Sequence, residues 1–334
     1  MKNFCTSFLA VLLISCSPKK EVQQTSLAVS FERVSPLLDA VMSEEVTVSV
    51  IAQGYEWSEG PLWLEDKKML LFSDVPTNTI YQWTEERGAE VYLKPSGYTG
   101  AKPRGGELGS NGLTLDAEGH LIICQHGDRR VAMMNSPIDK PKASFTSIAY
   151  ELNGKRFNSP NDVVFNNFDY YFTDPHYGLI KQMEDSSKEI PFQGVYQYTS
   201  NRKTLLLIDS LTCPNGLAFS PDNKKLYIAN SDPEKAIWYE YSLNPFRQIV
   251  SGKILYDATS NAKTEKGLPD GLKVDALGNI FATGPGGIWI FSASDELLGK
   301  IKVEEATSNC ALTADGKTLF VTNDMNILRI QLRK

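Results

Sequence analysis

From Val46 onward the chain breaks into short runs in which apolar and polar residues alternate, separated by Gly, Pro, Asn and Asp. Leu113 and Leu115 alternate before the turn AEGH, and Leu121 and Ile123 alternate after it. Leu217 and Phe219 lead in the same way through SPDNKK to Leu226 and Ile228. Period-two alternation on both sides of a turn predicts a β-hairpin. The apolar runs GVYQYTS and AIWYEYSL predict further strands outside these hairpins. No part of this region carries a long helical period. Before it, Pro36 to Met42 predicts one short helix.

The hairpin unit recurs six times. Its copies open as SEGPLW at Ser58, SNGLTL at Ser110, PNDVVF at Pro160, PNGLAF at Pro214, PDGLKV at Pro269 and SNCALT at Ser308. An all-β repeat of roughly 40 to 55 residues predicts a β-propeller, and six copies predict six blades. A pair of β-sandwiches is the alternative, but it gives no reason for a polar residue at the same place in every copy. Those residues are Glu59, Asn111, Asn161, Asn215, Asp270 and Asn309.

In a propeller the innermost strand of each blade lines the central channel, so the six anchors converge into a ring. Asn-Gly and Asp-Gly also favour tight turns. A turn role does not account for Glu59, or for Asn161 followed by Asp162. Carboxylate and amide oxygens are hard ligands; together they suit Ca²⁺ best, with Mg²⁺ and Mn²⁺ as alternatives. The ring has no His or Cys, which argues against zinc. About fifteen residues past each anchor the chain returns to the same face, predicting a second ring of Asp74, His126, Asp174 with His176, Asn230, the loop from Gly284 to Gly287, and Asn323. His120 falls in a turn instead.

Charge and composition narrow the function. The 334 residues carry a formal net charge of −6 and no Lys/Arg cluster, which argues against a nucleic-acid partner. The first residues are a separate matter. MKNFCTSFLAVLLISC has one Lys and an apolar run from Phe8 to Ile14, far short of the ~20 residues that span a bilayer. It reads as a signal peptide over 1–15, and Leu13-Ile14-Ser15-Cys16 resembles the lipobox of bacterial lipoproteins. The expected organisation is cleavage before Cys16, a lipid on that cysteine, a polar tether over 16–45 and a propeller over 46–334. The protein would then be exported and membrane-anchored through its lipid, on the periplasmic or cell-surface side. Cys124, Cys213 and Cys310 are too widely spaced for a metal motif and are expected as free thiols.

The motifs SEGPLW, SGYTG followed by RGGELGSNGLTLD, CQHGDRR, SPNDVVF with FTDPHYG, PNGLAFSPD and PDGLKVDALGNIFATGPGGIWIF occur in order from Trp57 to about Ile330. In order and spacing they resemble the SMP-30/gluconolactonase/LRE-like family of calcium-dependent six-bladed propellers, in the style of its bacterial gluconolactonase branch. The resemblance implies four metal ligands: Glu59, Asn161, Asn215 and Asp270. It implies substrate-facing positions at Asn111, Asn309 and His126, with His176 beside them. Some relatives carry a substrate-contacting arginine where this chain has Ser159, which leaves the substrate open. The implied reaction is hydrolysis of a sugar lactone such as gluconolactone, with a metal polarising the carbonyl and a base activating water. Asp270, His126 and Asp174 are the candidate bases. No GxSxG motif points to a serine nucleophile. A phosphotriesterase or arylesterase on the same site, and a non-catalytic lipid-anchored binding propeller with structural calcium, are the alternatives.

Overall fold

The computed structural model describes residues 27–334, which form a six-bladed β-propeller. The predicted signal peptide, Cys16 and the first part of the tether lie outside the described residues. Blade 1 is built from Ser58–Leu64, Met69–Asp74, Thr79–Thr84 and Gly88–Leu93, each antiparallel to the next. Blades 2, 3 and 4 repeat this meander, starting at Ser110–Leu115, Val163–Asn166 and Pro214–Phe219. Blade 5 begins at Leu272–Val274 and blade 6 at Asn309–Leu312. The six innermost strands touch in a closed circuit, the last against the first. GVYQYTS and AIWYEYSL supply the third strands of blades 3 and 4, at Gly194–Tyr198 and Lys235–Leu243.

Simple alternation predicts one wet face for each strand. The second strands depart from this: Met69–Asp74 and Leu121–Gln125 are buried at every position. Each blade is packed between two others, so both faces of its middle strands meet apolar neighbours. Between blades 4 and 5, Trp238 and Trp289 lie with ring centroids 5.2 Å apart, and Phe291 meets Trp238 edge-on at 5.6 Å. Aromatic pairs at this spacing add ~0.5–1.5 kcal/mol beyond their buried area. Only the outermost strands, such as Thr204–Ile208, expose several residues.

The ring is closed by both ends of the chain. Thr47–Gln53 pairs antiparallel with Asn326–Gln331, Thr47 opposite Gln331 and Gln53 opposite Asn326, and so supplies the fourth strand of blade 6. The predicted tether bound at residue 45 falls too late, because residues from Val29 on already pack on the propeller. Val29–Arg33 pairs with Leu297–Val303 as a fifth strand on blade 5. Pro36–Ala40 forms a 3-10 helix in place of the short helix predicted there. Leu38 and Met42 are fully buried, in one cluster with Ile288, Leu298, Leu319 and Ile330. The few apolar residues of this stretch are too irregularly spaced to show a period, yet they seal the outside of the junction between blades 5 and 6.

Candidate functional site

The six anchors enter the channel at equivalent places. Glu59, Asn111 and Asn215 are the second residues of their inner strands, and Asn309 the first of its own. Asn161 and Asp270 lie just before theirs. The residue after the anchor is glycine in four blades, and its role is close approach between blades. A Cβ on Gly60 would lie 2.0 Å from the Asn111 carbonyl oxygen, and one on Gly112 2.7 Å from that of Asn161. One on Gly216 would lie 2.3 Å from the Asp270 carbonyl oxygen. In blade 3 Asp162 takes the glycine position, and its carboxylate uses the space left above Gly112.

A cavity of about 430 Å³ opens above the ring and is lined by Glu59, Asn111, Asn161, Asn215 and Asp270. A directed chain of amide bonds crosses its floor. Asn111 Nδ2 donates to Asn161 Oδ1 at 2.6 Å, Asn161 Nδ2 donates to Asn215 Oδ1, and Asn215 Nδ2 donates to Ser231 Oγ at 3.1 Å. The Ser231 hydroxyl in turn donates to the Pro269 carbonyl, next to Asp270. Beside the two ends of this chain, Asn111 Oδ1 and Asp270 Oδ1 are buried with no donor among the described residues.

The electrostatics are one-sided. Glu59, Glu107, Glu265 and Asp270 line the cavity, and among the described residues no Lys or Arg does. Glu265 is paired with Lys302 at 2.8 Å. Burial, with the nearby charges of Asp162 and Glu107, pushes the Glu59 carboxyl up to about 8. Burial and then the charge of Glu59 push Asp270 well above the carboxylate range. Two unpaired carboxylates with neutral amide oxygens beside them form a donor set that a hard dication satisfies. Glu59 and Asp270 bring the charge such an ion would need, while Oδ1 of Asn161 and of Asn215 is engaged by amide and imidazole donors here and would have to be released to join them.

Other predicted residues stand elsewhere. Asn309 is turned away from the cavity into a deeper layer of the channel. Its Oδ1 accepts from Lys273 Nζ at 3.1 Å and from Cys310 N at 2.8 Å, and its Nδ2 faces Asp162 Oδ2 at 3.5 Å. It leans there because Gly271 has no side chain to occupy that space. His126 is fully buried behind Asn161, with Nε2 donating to Asn161 Oδ1 at 3.1 Å and Nδ1 3.7 Å from Glu107. Burial lowers its pKa to about 4, so it is neutral near pH 7 and orients Asn161.

Ser159 does not reach the cavity. It is fully buried, donates to the Pro175 carbonyl at 2.7 Å and accepts from Gly178 N at 2.9 Å, fixing the loop that carries Tyr177. Asp174 does not line it either. Its two oxygens accept from Asn158 N at 2.8 Å and Ser159 N at 2.7 Å, just ahead of Asn161. Burial raises its pKa to about 7. The same device recurs. Asp74 accepts from Glu56 and Trp57 N–H, Asn230 accepts from Cys213 N–H, and Asn323 donates to the carbonyls of Glu305 and Ala306. These four members of the second predicted ring hold the chain that delivers Glu59, Asn161, Asn215 and Asn309. His176 borders an adjoining depression, not the central cavity.

Several lining residues, Trp57, Glu107 and Tyr177 among them, carry no signal in the alternation. These three come from connections between strands or blades. Glu107 belongs to the Gly-rich connection between blades 1 and 2, which Arg104 pins by donating to the carbonyls of Gly127 and Gly178. Its length and composition are the marks of a functional loop. Burial pushes the Glu107 carboxyl up to about 7. At the opposite end of blade 2, Asp116, Glu118 and His120 cluster, but Asp116 is engaged with the backbone N–H groups of Glu118 and His120, as a turn requires.

Comparison with known proteins agrees with this geometry. The chain is 37% identical over 308 residues to a gluconolactonase of Zymomonas mobilis, covering 90% of this chain and 85% of that protein. The fold superposes on a gluconolactonase from Xanthomonas campestris with a TM-score of 0.77 and 24% identity, covering 93% and 99% of the two chains. It also superposes on a calcium-binding protein, regucalcin, from Agrobacterium tumefaciens, with a TM-score of 0.63 and 15% identity over 85% and 94% of the chains. The sequence profile described as SMP-30/Gluconolactonase/LRE-like region matches residues 57–324, and the chain belongs to that family.

Proposed function

We propose that this protein is a carboxylic-ester hydrolase that opens sugar lactones such as gluconolactone, with a divalent cation, best matched by Ca²⁺, in the channel. The observation that carries the reading is the pair of buried carboxylates, Glu59 and Asp270, converging with amide oxygens under a cavity that has no basic lining residue. The named relatives act on such lactones, and the regucalcin-like neighbour binds calcium.

A bound dication would supply Lewis-acid polarisation of the lactone carbonyl. The chain's own residues do the rest. Asn111 and Asn215 hold the floor in one register through the amide chain, and His126 keeps Asn161 turned toward it. Asp270 is the proposed general base, because its Oδ1 has no donor among the described residues and, with the charge of a bound cation holding it ionised, could take a proton from an attacking water. Glu107 is the second carboxylate placed to move a proton at the wall. The acidic, cation-free lining favours a neutral polyhydroxylated substrate over an anionic one.

The test is acid release at constant pH from a panel of sugar lactones, with chelator and with added Ca²⁺, corrected for spontaneous ring opening. Calcium-restored hydrolysis is expected. A folded protein that turns over no lactone with calcium present would sink the proposal.

We further propose that the protein is an exported lipoprotein. The support is the Leu13-Ile14-Ser15-Cys16 sequence after a short apolar run. Val29 pairs with Val303 at the cavity end of blade 5, so the tether would join the propeller on the face bearing the site. Labelled palmitate should enter the wild-type chain and not Cys16→Ala.

A further inference from the structure

Beside the central cavity lies a second depression of about 630 Å³, and Tyr177, Ser231, Pro233 and Leu268 line both. The two are therefore one continuous hollow with Tyr177 on the shared wall. We propose that the second depression is a sugar subsite that takes a neutral glycosyl substituent, so that the preferred substrate is a disaccharide lactone. This rests on the sugar-lactone reading of the central site.

The lining chemistry selects the occupant. Tyr177 and Phe192 offer aromatic faces, and Leu211 adds apolar surface. A pyranose presents C–H faces to such groups and hydroxyls at its edge. Asp209 and Asp232 supply carboxylate acceptors for those hydroxyls. Among the described residues no Lys or Arg lines either hollow, so a phosphorylated or carboxylated substituent would face uncompensated negative charge.

One polar member is set in advance. Gln193 Oε1 accepts from both His176 Nδ1 at 2.7 Å and His176 N at 3.2 Å, while Gln193 Nε2 donates to the Thr212 carbonyl. The Thr212 bond fixes which end of the Gln193 amide faces the imidazole. In the neutral form of His176 the proton therefore sits on Nδ1, and Nε2, with no partner among the described residues, is left as an acceptor.

The test uses binding, so that it reads independently of turnover. Glucitol, maltitol, cellobiitol and an alkyl glucitol ether would be titrated calorimetrically into the wild-type protein and Ser210→Trp, which places a bulky ring in the second depression only. A glycosyl alditol is expected to bind at least about tenfold tighter than glucitol, and Ser210→Trp to erase that gain. Glucitol binding and gluconolactone turnover should be unchanged in the variant. Equal binding of glucitol and both glycosyl alditols overturns the subsite, as does a gain that survives Ser210→Trp or a preference for the alkyl ether. Acid release from gluconolactone by the same samples reports separately on the lactone reading.

Discussion

Gly216 lies against the backbone of Asp270 in the next blade: a Cβ on Gly216 would sit 2.3 Å from the Asp270 carbonyl oxygen. This contact explains why glycine follows the anchor, and it gives a sharp comparison. The Gly216 backbone is not left-handed, so a turn requirement alone would tolerate alanine. Gly216→Ala is expected to cost ~1–3 kcal/mol by overpacking and to weaken calcium binding by displacing Asp270. Gly119 has φ +81° in an open turn with nothing within 4 Å. Gly119→Ala should cost about 1 kcal/mol of backbone strain and leave calcium affinity alone. Thermal unfolding and calcium titration of both variants check this.

Asp270→Asn keeps the shape of an anchor that four other blades already carry as Asn111, Asn161, Asn215 and Asn309. It should therefore fold. It removes one of the two charges proposed for the cation, and calcium affinity should fall by about tenfold or more. Calorimetric titration with Ca²⁺ reads this directly, and unchanged affinity would remove Asp270 from the ligand set.

Asp174 predicts a pH dependence of stability. Its pKa rises from 3.8 to about 7 on folding, through burial. The folded state thus holds a proton that the unfolded state releases in this window. The associated stability is complete below about pH 4, is lost as pH rises toward 7, and does not change further above that. Asp174→Asn, matching Asn230 and Asn323 at the same place in blades 4 and 6, should flatten that limb. Denaturant unfolding across pH 4 to 8, with chelator present, would show an unaltered slope if the burial of this carboxyl did not matter.

Leu38 places the segment before residue 46 inside the folded unit. Leu38→Ala is expected to lose ~2–5 kcal/mol, as for a fully buried leucine. A loss within 0.5 kcal/mol, the range of an exposed position, would restore this stretch to the tether.

The blades were legible because a hairpin repeats its alternation, and six copies reinforce one another. Anchor positions such as Glu59 and Asp270 were legible for the same reason. What alternation cannot convey is which way a side chain turns once adjacent blades meet. Asn309 shares the register of the other anchors but fills the gap over Gly271 and bonds Lys273. Asp174 returns to the mouth as counted and Ser159 stands two residues before Asn161, but both spend their polar groups on neighbouring backbone. Glu107 and Tyr177 come from connections with no period, where only loop length and composition give notice. Leu38 was hidden because a single buried turn is too short to show a helical face.

The strand Thr47–Gln53 has a temporal consequence. Ser49 and its partner Arg329 are 280 residues apart, so this pairing waits until nearly the whole chain has been synthesised. Every anchor, Asn309 included, precedes the segment that completes the circle. A nascent or prematurely terminated chain would possess all the functional residues and still be inert, because their convergence depends on the final strand. Contacts of such long range also slow folding. Onset of activity is thus tied to completion of translation, and a protein that crosses a membrane as an extended chain would arrive on the far side before its site could assemble.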